Sequence, residues 1–121
     1  MTPAELLLSA RQILAHTGGL VPALWPRAAA ILARHALESA VRDMWMSRPG
    51  YESLVHSSMR AQLITLVDIV DPQTAARAAF VWSALSEACH YHPYELAPTV
   101  GELGHWIDEV EEILTPSVRP G

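Results

Sequence analysis

Apolar residues recur three and four positions apart along most of this chain, and the punctuation between those runs marks out helices. Thr2-Pro3-Ala4-Glu5 has the form of a capping box with Pro at the first helical position. Leu6, Leu7, Ala10, Ile13 and Leu14 follow at helical spacing until Gly18-Gly19 stops the run. Beyond a bend at Pro22 to Pro26, an Ala-rich helix is predicted from about Pro26 to about Met46. Its apolar face is expected to carry Ala30, Ala33, Leu37, Ala40, Val41 and Met44, with Pro49-Gly50 ending the segment. A shorter helix is predicted to begin near Ser57 or Ser58 and to use Met59, Leu63, Leu66, Val67 and Val70. Asp71-Pro72 reads as an N-cap followed by Pro at the first position. The helix it opens presents Ala75, Ala78, Ala79, Trp82, Leu85 and Cys89 on one side, and Pro93 bars its continuation. Thr99-Val100-Gly101-Glu102 is a second capping box, before the series Leu103, Trp106, Ile107, Val110, Ile113 and Leu114. No segment alternates with a period of two. The pattern predicts an all-α bundle of four to five helices in one domain, residues 1–121, with the core at about 3–114 and a short tail at 115–121.

Composition narrows the function classes. Half of the residues are hydrophobic, which argues against disorder. No run approaches the roughly 18 apolar residues of a membrane span, and the N-terminus lacks a basic region followed by an apolar run. A cytoplasmic protein without membrane contact is expected. Cys89 is the one cysteine, so neither an intrachain disulfide nor a multi-cysteine zinc site can form. Net charge is −5, divided unevenly. Residues 1–86 hold seven Arg against six acids, whereas residues 87–121 hold seven acids against Arg119 alone. A strongly basic nucleic-acid binder is excluded for the whole chain, but not a local basic face at the front.

Candidate chemistry gathers at Glu87-Ala-Cys-His90-Tyr91-His92-Pro93-Tyr94-Glu95, where one helix ends. A helix C-terminus favours a cation, which suits a protonated His. His90 and His92 lie about 200° apart if both are helical, so they cannot hold one ion together. No further ligands are evident, and no metal or other cofactor is expected. A Ser/His or Cys/His nucleophile is disfavoured too, because Cys89 shares the side of Trp82 and Leu85 and should point into the core. On the Ala-rich helix, Arg27, Arg34, Glu38 and Arg42 fall within about 80° of one another. Arg34–Glu38 and Glu38–Arg42 are spaced for ion pairs, and the stripe could bind a phosphate or a carboxylate. His35 sits at its edge; His16, His56 and His105 read as surface or boundary residues. Trp82 and Trp106 fall on apolar faces and read as core. Trp45 falls on the Arg stripe, which suggests a surface that meets a second copy or another helix. The acidic last helix, with Asp108, Glu109, Glu111 and Glu112, reads as a solvated face or as a dock for a basic partner.

The run from Ala28 to Trp45, with Glu38 near its centre, resembles the second helix of the HEPN superfamily of small helical-bundle proteins. His92-Pro93-Tyr94 is similar to the His-x-Tyr end of that family's Arg-x4-His-x-Tyr ribonuclease motif. The resemblance covers roughly residues 26–114 and implies a HEPN-like bundle, commonly a homodimer, that handles RNA. It implies His92 as acid/base, with Glu38, Tyr94 and His90 beside it; if the chain cleaves, Arg34 or Arg42 from the stripe is the only substitute for the motif Arg as phosphate clamp. The chain departs from the motif at one position: five residues before His92 stands Glu87, an anion where an anionic substrate needs Arg. A non-catalytic member is therefore expected, binding RNA or a cognate protein in a toxin–antitoxin or defence setting. The alternatives are a protein-interaction module with no RNA role and an active metal-independent endoribonuclease.

Overall fold

A computed structural model describes residues 1–16, 25–90 and 96–114 of the chain. Every regular element among these residues is helical: α1 (Pro3–Ala15), α2 (Trp25–Met46), α3 (Glu52–Val55), α4 (Met59–Thr65), a 3-10 turn (Leu66–Asp68), α5 (Pro72–Cys89) and α6 (Val100–Leu114). The protein is an all-α bundle. The one element beyond expectation is the single turn α3, too short to show a periodicity of its own.

The helix starts are set by local chemistry. The Thr2 hydroxyl accepts from the Glu5 amide at 3.1 Å, and the Glu5 carboxylate accepts from the Thr2 amide at 3.3 Å. The Thr2 hydrogen bonds hold the Glu5 carboxyl below its usual range. Ser58 caps α4 through the Ala61 amide at 3.2 Å, and Asp71 caps α5 through the Thr74 amide at 3.0 Å. Thr99 and Glu102 exchange the two bonds of a capping box at 3.0 and 3.1 Å. These caps satisfy amides that have no partner inside the helix. After α2, Gly50 takes φ +92°, a left-handed conformation that Gly adopts without a Cβ penalty, and the chain reverses toward α3.

Helix α2 is the centre of the bundle and packs against α1, α5, α6 and the α3–α4 corner. Nine of its residues are buried, and five of these are alanines: Ala29, Ala30, Ala33, Ala36 and Ala40. Small side chains let flanking helices approach the α2 backbone closely, and Leu37, Val41 and Trp45 fill the space between them. Leu6, Leu7 and Ala10 of α1, Val81 and Leu85 of α5, and Leu103, Ile107, Val110 and Ile113 of α6 complete the core.

The assignment of Trp45 is corrected. Trp45 is fully buried, with its ring 4.9 Å from that of Tyr51. It does share the angular face of the Arg stripe, but it lies at the far end of α2, where Tyr51 and the α3–α4 corner cover it. Trp82 and Trp106, read as core, pack against it from its margin and are partly buried.

The acidic last helix is not simply solvated. Arg11 of α1 pairs with Asp108 at 2.9 Å and with Glu111. On the other side, Arg77 of α5 pairs with Glu109 at 2.7 Å and with Glu112. Helix α6 is thus held from both flanks by arginines of this same chain. Although partial burial opposes the charge on Arg11, the hydrogen bond to Asp108 and the charge of Glu111 outweigh it and raise its pKa. Hydrogen bonds to Glu112 and Glu109 do the same for Arg77. No helix of the described residues is long and apolar enough to cross a membrane.

Candidate functional site

The middle of α2 faces α5 across a polar seam inside an otherwise apolar contact. Trp82 Nε1 donates to Glu38 Oε2 at 3.0 Å. The indole N–H lies half-buried and needs an acceptor, and Glu38 is the carboxylate within reach. The ion pairs expected of Glu38 with Arg34 and Arg42 are therefore replaced by a hydrogen bond between helices, which commits one oxygen of the Glu38 carboxylate.

One turn further along α5, the Ser86 hydroxyl oxygen is buried without a hydrogen-bond partner, and Cys89 is buried at the helix end. Burial pushes the Cys89 thiol up from its ordinary value. Arg34 and Arg27 act against that shift through their charge, and Glu38 adds to it. The Glu38 side chain thus bonds Trp82 and also acts by charge on Cys89, two turns further along α5.

The predicted stripe is not uniform: Arg34 is partly buried and, with Arg27, acts by charge on Cys89, whereas Arg42, about one turn beyond Glu38, is exposed. Glu87 and His90 are themselves exposed, and the His90 amide closes the helix by donating to the Glu87 carbonyl at 3.0 Å. His92 and Tyr94 lie outside the described residues. The structure thus joins Glu38 to Trp82, and Arg34 and Glu38 both act by charge on Cys89. Among the described residues, no group of three or more His, Cys, Asp or Glu is arranged to hold a metal ion.

Reasoning from sequence missed the role of Trp82 as the partner of Glu38. A signal was available: Trp82, Ser86 and Cys89 succeed one another at spacings of four and three, which puts them on one line of α5. A half-buried carboxylate held by a neutral donor, with an arginine alongside, can orient a polar ligand.

The environment of Cys89 has a measurable consequence. With its thiolate disfavoured and its side chain 3% exposed, native Cys89 reacts with a disulfide reagent at pH 8 about 100-fold more slowly than in denaturant. Labelling of the folded protein at the rate of a free thiol would contradict the packing of α5 on α2.

No family model, curated protein or solved structure matches this chain.

Proposed function

We propose that the chain is a HEPN-like bundle that has kept the scaffold without phosphodiester cleavage, and that it works by binding a partner protein in a toxin–antitoxin or defence setting. The carrying observation is where its arginines go. Arg11 and Arg77 are held by the acids of α6. Setting those two aside leaves residues 1–86 with five Arg against six acids, a net of −1 in place of +1. Two of the seven Arg that kept RNA in contention are thereby engaged within the fold. The exposed Glu87 at the end of α5 adds a local charge of the wrong sign for a phosphate. With Trp45 buried, a homodimer loses the surface on which it was expected, and this reading does not depend on one.

The test compares the wild type with His92→Ala on a mixed-sequence RNA, for cleavage and for binding at low salt. The expected result is no cleavage by either protein and no binding that salt can titrate. Cleavage abolished by His92→Ala would restore the endoribonuclease. Binding that falls steeply between 50 and 200 mM salt, about a thousandfold for several phosphate contacts, would restore the RNA binder.

A further inference from the structure

Phe80 is the single Phe of the chain, and it is 67% exposed on the outer side of α5. It does not stand alone. Phe80, Ala76 and Val81 of α5 and Trp106 of α6 form the apolar walls of a groove of about 370 Å³ between the two helices. Gln73 and His105 also line it. One edge carries Arg77 and Glu109, joined at 2.7 Å, with Glu112 on the same guanidinium. Beyond that edge rises the acidic ridge of α6.

We infer that this α5–α6 groove docks a basic amphipathic helix of a partner protein. The inference rests on the proposed reading of the chain as a protein binder and says which surface is used and what it recognises. Apolar anchors spaced three and four residues apart would fill the channel beside Phe80 and Trp106, as in other complexes that seat a helix in a groove. Arginines or lysines flanking those anchors would face the acids of α6.

Charge selects the occupant. Helix α6 carries Glu102, Asp108, Glu109, Glu111 and Glu112 and no Lys or Arg. At the groove Glu109 and Glu112 share Arg77, a net of −1; on the α1 flank Asp108 and Glu111 share Arg11, again −1; with Glu102 the helix stands at −3. The side chains of Asp108, Glu111 and Glu112 are more than half exposed despite their ion pairs. A second copy seated groove to groove would set two such ridges against each other, and like charges oppose that contact. An anionic partner, RNA included, meets the same field. A cationic helix gains from it, chiefly in association rate and in discrimination against other partners.

The experiment titrates the full-length protein with three synthetic peptides of about 15 residues, long enough for helix to form on binding. One has Leu at helical anchor spacing and Arg or Lys elsewhere. The second replaces the basic residues with Glu. The third keeps the basic composition and scrambles the order. Calorimetry gives affinity, and the indole proton signal of Trp106 reports the location. The basic amphipathic peptide binds at least about tenfold more tightly than either control and shifts the Trp106 signal. Phe80→Ser, at an exposed position that folding does not use, and Glu112→Gln each weaken it by about threefold to tenfold. Equal binding of the scrambled peptide, a Trp106 signal that does not move, or no binding at all would each overturn the proposal. So would sedimentation showing a dimer that Phe80→Ser dissolves, because the occupant is then a second copy. RNA binding would end the protein-binding reading on its own evidence, whereas loss of groove binding without RNA binding ends the groove proposal alone.

Discussion

Trp45→Ala lowers the unfolding free energy by about 3–5 kcal/mol, the cost of emptying a large aromatic site in a core that only partly collapses. Trp45 has no exposed surface and packs its ring on Tyr51. Removing it unseats the contact between the end of α2 and the α3–α4 corner. Trp45→Phe costs far less, about 1.5 kcal/mol or below, for a second reason. The indole nitrogen of Trp45 is buried with no hydrogen-bond partner, and Phe removes that unpaired donor together with the lost area. Urea unfolding followed by circular dichroism reads both variants. A change of less than about 0.5 kcal/mol for Trp45→Ala would mark a surface position and return Trp45 to the role its angular placement suggested.

That residue shows what a helical projection can and cannot carry. Viewed down the axis, Trp45 and Arg27 coincide and Arg34 lies close by. Along the axis, Arg34 and Trp45 are about 16 Å apart, and different neighbours cover each. The end near Trp45 receives α3 and α4, whereas the middle receives α5. The projection removes the coordinate that decides burial. It failed at Trp45 and succeeded for Ala33 and Leu37, whose face is covered along the whole length of α2. Helix starts were legible for the opposite reason. Thr2, Ser58, Asp71 and Thr99 satisfy amides three residues away, so all the physics lies within one turn of sequence.

The candidate site divides in the same way. Arg34, Glu38, Glu87 and His90 could be singled out by residue type and spacing, since charge and helix-end position are local properties. Their partners could not. Spacing of four offers Glu38 an ion pair with Arg34 or Arg42 worth a few tenths of a kcal/mol. The contact of α2 with α5 supplies the Trp82 indole instead, a donor that would otherwise sit half-buried without an acceptor. Likewise, nothing close to Arg11 or Arg77 in sequence points to α6, which lies about one hundred residues from the first and about thirty from the second. Those pairings bear on the functional reading, because they engage two of the seven cations that made the front of the chain basic.

Ala33→Leu destabilises the protein by about 1–3 kcal/mol, although Leu is larger, more apolar and nearly as good a helix former. Ala33 is fully buried on the helix at the centre of the bundle, within a row of alanines that sets how closely the neighbouring helices approach. Three more carbons there must displace backbone or force side chains off their rotamers, and the strain exceeds the gain from added apolar area. His35→Leu on the same helix introduces the same side chain at an exposed position and shifts stability by less than about 0.5 kcal/mol. The pair separates packing from propensity, because Leu is a good helix former at both positions and only the one at 33 must fit inside the core. Thermal and urea unfolding of the two variants together check it. Equal effects would mean that the alanines of α2 serve helix formation alone, and the close approach of the bundle around them would lose its support. A large loss at Ala33 beside none at His35 assigns the Ala-rich run to the packing of α2 within this bundle, a role independent of any catalytic ancestry its resemblance suggests.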